Sequence, residues 1–237
     1  MNRPFGIIFD LGDTILKLES FDTLAGSKRL LEFAENASHL TAEDIKRAAD
    51  EVWEGIMKAQ DESMIQAVWR NLYRLVFETV GVSFKMSYAE LEKEYWLAAC
   101  QFTPADGICE VLDTLDKYKI TTGIVSNTSF TGAILKEELA KHNLADRFTF
   151  LVSSADYGLR KPHNRIFELA VRMMNLKPHD IWFVGDKLEY DIKGAINSGL
   201  YPVWYNCKNE PGKNEYQYLE VKDWHEFKDK IESLCSC

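Results

Sequence analysis

The sequence predicts an α/β fold, a doubly wound parallel sheet with a small α-helical domain inserted after its first strand. Three observations predict it. A short continuous apolar run, Gly6-Ile7-Ile8-Phe9, opens the chain and stops at Asp10, as a buried parallel strand does. From about residue 21 to residue 100 the apolar residues recur at spacings of three and four, with almost no strand signal. Beyond Cys100, short β-branched and aromatic runs alternate with helical stretches, the pattern of β-α-β units.

In the inserted stretch, Leu24, Leu30, Leu31 and Phe33 mark a first helix. Thr41-Ala42-Glu43-Asp44 is a capping signal for a second, carried by Ile45, Ala48, Ala49, Val52, Trp53 and Ile56. A third is spaced through Ile65, Val68, Trp69, Leu72, Leu75 and Val76 and closed by Gly81. Residues 88–99 make a fourth. Trp53, Trp69 and Trp96 read as core of this four-helix unit ahead of ligand contacts. Phe102-Thr103-Pro104 reads as a connector. A helix follows at 108–118, a strand at 120–125 ending in Ser126-Asn127-Thr128, and a helix to about His142. Then come a strand at 148–152, a helix at 165–175, a strand at 181–184 ending in Gly185-Asp186, a helix from about 191 to 197, and a strand at 201–204.

Composition sets outer bounds. Hydrophobic residues are 46% and charged residues 27% of 237, ordinary globular usage that excludes collagen-like, mucin-like and disordered chains. The 28 basic against 37 acidic residues give a net charge of −9, which argues against a nucleic-acid partner. The length suits a core formed by residues 1–18 and 101–237, interrupted by the helical insertion at 19–100. Five cysteines form an odd set without a C-x-x-C pair, which fits a reducing cytoplasm better than a disulfide scaffold. Cys235-Ser236-Cys237 reads as a plain terminus rather than a lipidated tail. No apolar run approaches the ~18 residues of a membrane span, and the first is too short for a secretory signal. Neither a membrane nor a nucleic acid is therefore expected as a partner, and the expected state is a monomer or weak dimer.

Chemistry is expected at the carboxyl ends of the strands, where open α/β sheets bind ligands. Asp10, Ser126 and Asp186 each follow a strand, and Tyr157-Gly158-Leu159-Arg160-Lys161-Pro162 follows a fourth. Singly, each has a plain structural explanation: a strand-end Asp caps or turns, Ser-Asn turns, and Lys before Pro is solvated. Together, in this order, they place two carboxylates, a hydroxyl and an ammonium at one rim.

These segments resemble the motifs of the haloacid dehalogenase-like superfamily. Phe9-Asp10-Leu11-Gly12-Asp13-Thr14 resembles the first motif, Ser126-Asn127 the second, Lys161-Pro162 the third, and Gly185-Asp186 through Asp191 to Ala195 the fourth. The resemblance covers essentially the whole chain. It implies a Rossmann-like core, with the helical insertion standing where that family carries its mobile cap. It implies a phosphatase acting on a small phosphate ester through an aspartyl-phosphate on Asp10. It assigns Mg²⁺ to Asp10, Asp186 and the Gly12 backbone carbonyl, with Asp191 holding either the metal shell or the lysine. Lys161 would serve both nucleophile and phosphoryl oxygens, Ser126 and Asn127 would bind phosphate, and Thr14 would bind it or support the Asp10 loop.

One departure matters. Phosphatases of the family often carry a second Asp two residues after the nucleophile, as the proton donor to the leaving group. Here that position is Gly12, and Asp13 stands one step further on. Asp13 is a candidate substitute, though loop structuring suits it better. The departure disfavours a phosphomutase, the carboxylate cluster disfavours a metal-free dehalogenase, and a non-catalytic phospho-ligand binder remains the alternative.

Overall fold

The computed structural model describes residues 2–37, 39–213 and 215–236 of the chain. Strand β1 (Gly6–Phe9) is wholly buried and sits at the centre of the sheet because all four of its residues are apolar or glycine. It leads to β2 (Leu16–Phe21) and then to four helices, α1 (Thr23–Leu31), α2 (Ala42–Ser63), α3 (Trp69–Val80) and α4 (Tyr88–Ala99). The chain returns through β3 (Cys100–Pro104) and α5 (Ile108–Lys117) to β4 (Thr121–Ser126), α6 (Gly132–Lys141), β5 (Leu151–Ser153), α7 (Ser154–Tyr157) and α8 (Asn164–Met174). It ends with β6 (Ile181–Gly185), α9 (Lys193–Asn197), β7 (Tyr201–Tyr205), β8 (Leu219–Val221) and α10 (Trp224–Cys235).

The main sheet has six parallel strands in the order β5-β4-β1-β6-β7-β8. The chain builds outward on one side of β1, then crosses back to lay β6 on the other. That reversal opens a crevice at the carboxyl end of β1. Side chains alternate across the sheet. Ile7, Phe9, Trp182 and Val184 pack with α5 and α10 on one face, while Ile8 and Phe183 pack with Phe167 and Ala170 of α8 on the other. Among the described residues no helix is long and apolar enough to cross a membrane.

Local residues cap the inserted helices, the Thr41 start and the Gly81 stop being the two that the sequence marks. Asp22 caps α1 by accepting from the Leu24 and Ala25 N–H groups. Thr41 with Asp44, and Ser87 with Glu90, form capping boxes on α2 and α4. Gly81 ends α3 at φ 76°, a left-handed conformation that costs a glycine nothing.

Three features differ from the sequence expectation. Ile65 and Val68 lie outside α3: Val68 is its N-cap, and Ile65 bridges to Leu159 in the core. Residues 100–104 are not a connector but strand β3, antiparallel to β2, forming a two-stranded ribbon under the helices. Its burial alternates residue by residue, but its partner lies some 80 residues earlier, so no local pattern reveals the pairing. Beyond β7, a short edge strand β8 and α10 complete the fold, and α10 buries Trp224, Phe227 and Ile231.

Candidate active site

Every strand-end residue singled out by sequence comes to one crevice. Asp10 leaves β1 with its N–H donating to the Val184 carbonyl of β6 at 2.8 Å, which pins it at the sheet edge. Lys161 is 1% exposed, so its ammonium must be paired. Its Nζ stands 2.5 Å from Asp10 Oδ1 and 2.7 Å from Asp191 Oδ1. Asp191 is held from the other side, where its Oδ2 accepts from the Lys187 N–H at 2.9 Å. Gly185 makes this approach possible, since a Cβ there would stand 2.4 Å from the Asp191 carboxylate. Asp186 pairs with Lys187 Nζ at 2.7 Å, and its backbone carbonyl accepts from Trp204 Nε1 at 3.0 Å.

Two residues expected to touch substrate are occupied otherwise. Thr14 is fully buried and donates its hydroxyl to Asp10 Oδ2 at 3.3 Å, while its carbonyl accepts from Trp224 Nε1. It therefore braces the Asp10 loop rather than facing the crevice. Asn127 spends its amide on the backbone of Lys161: Oδ1 accepts from the Lys161 N–H at 2.8 Å and Nδ2 donates to the Lys161 carbonyl at 3.0 Å. Ser126, at the end of β4, is 5% exposed and lines the cavity above Asp10.

Asp13 sits at φ 58° with both carboxylate oxygens engaged, Oδ2 by Lys208 Nζ at 2.7 Å and Oδ1 by the Leu18 N–H at 3.5 Å. Burial would raise its pKa, but the Lys208 contact prevails and lowers it. An ionised, paired carboxylate structures a loop and is a poor proton donor. At Gly12 a Cβ would meet nothing within 4 Å, so the place of the usual acid is open.

Oxygens of Asp10, Asp186 and Asp191 lie within 4.8 Å of one another, and all three residues are buried. Burial pushes Asp10 up to about 6, with the Asp191 charge adding to the rise and Lys161 opposing it. Burial likewise raises Asp186 and Asp191. For Lys161, burial would lower the pKa, but the Asp10 and Asp191 charges outweigh it and keep the ammonium charged. Three crowded carboxylates with hard oxygen donors fit a cation of the Mg²⁺ class. Asp191, already shared between Lys161 and a backbone N–H, fits the role of lysine holder better than that of direct ligand.

The inserted helices are tied to the loops that carry these groups. Gln66 N–H donates to the Gly158 carbonyl, and Arg160 N–H donates to the Met64 carbonyl, both at 3.0 Å. The Gln66 side chain accepts from Ser154 Oγ at 2.8 Å, and Ser154 in turn accepts from the Thr128 N–H at 2.8 Å. Arg160 pairs with Asp61 at 3.0 Å and lies over Tyr190. Sequence reading missed Gln66, Ser154 and Arg160. Nothing marks Gln66 but a polar residue interrupting an apolar spacing. Helices and sheet together line a partly open cavity of about 650 Å³ that includes Asp10, Ser126, Lys161 and Asp186 in its wall.

The family model for haloacid dehalogenase-like hydrolases matches residues 6–199. The glyceraldehyde 3-phosphate phosphatase of Pyrococcus furiosus is 33% identical over 123 residues, 51% of this chain, and that match spans about half (48%) of the archaeal enzyme. The pyrimidine 5'-nucleotidase YjjG of Escherichia coli is 28% identical over 206 residues, covering 85% of each chain. A phosphatase structure from Thermococcus onnurineus superposes with a TM-score of 0.70 at 22% identity, covering 98% of both chains. The 2-haloacid dehalogenase of Pseudomonas syringae superposes with a TM-score of 0.68 at 18% identity, covering 98% of this chain and 99% of that one. At these identities the two structures establish the shared fold.

Proposed function

This chain belongs to the haloacid dehalogenase-like hydrolases, and from that premise we propose that it is a Mg²⁺-dependent phosphatase of small-molecule phosphate monoesters. The observation that carries the proposal is the Lys161 ammonium between the carboxylates of Asp10 and Asp191, with Asp186 beside them, at the carboxyl ends of β1 and β6. The relatives named for phosphate release support it, among them enzymes named for glyceraldehyde 3-phosphate, pyrimidine nucleotides and phosphoserine.

Asp10 is the nucleophile. A carboxylate oxygen bonds to phosphorus as the bond to the leaving oxygen breaks, giving an aspartyl-phosphate. The leaving oxygen takes its proton from water, since Gly12 offers no acid. A second water then attacks phosphorus, releases inorganic phosphate with that water's oxygen, sheds its proton to solvent and restores Asp10. Lys161 holds Asp10 in place and faces the phosphoryl charge. Ser126 and the backbone N–H groups after β4 bind phosphate oxygens, while Asn127 and Asp191 hold Lys161. Mg²⁺, held by Asp10, Asp186 and the Gly12 carbonyl, would supply the positive charge that lets a carboxylate approach a phosphate dianion.

The core is residues 1–18 and 101–237, and residues 19–100 form the lid that excludes water and contacts the leaving group. A cavity walled by helices on one side and the sheet edge on the other favours a metabolite over a nucleic-acid end or a protein phosphate. The odd cysteine set without a C-x-x-C pair supports a cytoplasmic setting.

The test is release of phosphate from phenyl phosphate with Mg²⁺. Asp10→Asn should lower turnover by about 10³-fold or more, and EDTA should abolish it reversibly. Undiminished turnover by Asp10→Asn would overturn the assignment of the nucleophile.

A further inference from the structure

The far wall of the cavity is one face of α2. Lys46, Ala49, Asp50, Trp53, Met57 and Gln60 all line it, at the spacing of successive turns. Lys46 and Asp50 satisfy each other as an ion pair, and Gln60 accepts from the Ala67 N–H. Trp53 and Met57 remain as the apolar part of the face. Trp53 is half-buried and Met57 is 48% exposed, so both offer apolar surface to a cavity that is partly open to solvent.

Trp53 is also unlike the other tryptophans. Trp69 stacks on Tyr73, Trp96 on Phe102 and Trp224 on Tyr205, and Trp182 and Trp204 pack against Tyr201 and Tyr218. Among the described residues, Trp53 alone of the six has no aromatic neighbour. An indole and a thioether both gain most from the face or edge of another ring.

Two further observations bear on what fills the space. The cavity of about 650 Å³ falls in the range that holds a drug-sized ligand, well beyond the needs of a three-carbon phosphate. Beside the nucleophile, the position of Gly12 is open, so a wide group attached to the scissile oxygen is not blocked there.

We propose that the substrate is a phosphate monoester whose leaving group carries a planar aromatic or heteroaromatic ring, seated against Trp53 and Met57. The proposal rests on the phosphatase reading above and adds the class of leaving group. Trp53 is then a specificity residue: it binds the ring and takes no part in transfer of the phosphoryl group.

The experiment compares benzyl phosphate with cyclohexylmethyl phosphate, two esters of similar bulk and leaving-group basicity that differ in aromaticity, and uses ethyl phosphate as the ringless control. Where turnover is slow, each is measured as a competitive inhibitor of acetyl phosphate hydrolysis. The wild type should favour benzyl over cyclohexylmethyl by about fivefold, mainly in KM or Ki. Trp53→Ala should remove that preference, and Trp53→Phe should restore most of it. Equal affinity for the two rings in the wild type, or a preference that survives Trp53→Ala, overturns the proposal while leaving the phosphatase reading intact. Failure to release phosphate from acetyl phosphate or any of the three esters, with Asp10→Asn indistinguishable from wild type, removes the phosphatase reading and this proposal with it.

Discussion

Asn127 clasps the backbone of Lys161 with both ends of its amide, accepting from the N–H at 2.8 Å and donating to the carbonyl at 3.0 Å. Two strand-end loops are thereby joined in register. Asn127→Asp keeps the acceptor and loses the donor, so Lys161 should shift relative to Asp10. The expected result is a fall in kcat of about 10- to 100-fold, the range for residues that orient an active group. KM should change less, because Ser126, the proposed phosphate contact, is untouched. Steady-state kinetics with phenyl phosphate separates the two, and a loss confined to KM would place Asn127 on the substrate instead.

Gly12 predicts steep dependence on the leaving group. With no side-chain acid, the rate should fall strongly as the basicity of the departing oxygen rises, from acyl to aryl to alkyl phosphates. Gly12→Asp has room, since a Cβ there meets nothing within 4 Å. It should raise kcat for ethyl phosphate by about tenfold or more and flatten the plot of log kcat against leaving-group pKa. A flat plot in the wild type would show that another group already donates the proton.

The carboxylate cluster links metal, pH and stability. Burial raises Asp10 to about 6 from its ordinary 3.8. A carboxyl group with a raised pKa favours the folded state only while it keeps its proton. The metal-free protein should therefore lose stability as pH rises from about 4 through about 6. On the proposed reading Mg²⁺ would have to displace that proton and would then neutralise the carboxylates, so its stabilisation should be small near pH 5 and larger near pH 7.5. Thermal melts with Mg²⁺ and with EDTA at the two pH values read this directly, and an equal shift at both would contradict it.

Glu92 joins the inserted helices to the core. It is fully buried on α4, accepts from the Thr131 N–H and hydroxyl at 2.9 Å, and pairs with Arg70 at 2.7 Å. Glu92→Gln keeps the shape but replaces a charged acceptor by a neutral one. It should cost about 2 kcal/mol of stability, seen as a lower melting temperature, with phosphatase activity at 25 °C nearly unchanged because Glu92 touches none of the reacting groups.

The sequence made local features legible and left long-range ones hidden. The capping box at Thr41, the stop at Gly81 and the buried run Gly6–Phe9 are each set by a few adjacent residues, and each is found where it was read. Asp10, Ser126, Lys161 and Asp186 were legible because strand ends in a parallel sheet share one edge. What side chains do at that edge was not. Whether Asn127 reaches for phosphate or for a neighbouring backbone depends on the loop that Lys161 takes, and Thr14 is turned toward Asp10 by the packing of Trp224 from the end of the chain. The pairing of β2 with β3 and the ties from Gln66 join segments far apart in sequence, so no window of neighbouring residues contains them.

The short strap at Met64–Gln66 bears on how this protein can be altered. It shares backbone hydrogen bonds with Gly158 and Arg160, immediately before Lys161, and its Gln66 side chain reaches Ser154 beneath the Ser126 loop. The helical insertion is thus not an interchangeable cassette. A chimera that takes residues 22–99 from a relative inherits a strap cut for a different lysine loop, and will misplace Lys161 even where both parents are active. Transplanting the insertion together with residues 154–160 keeps the matched pair, which makes those two segments, rather than the helices alone, the unit of inheritance.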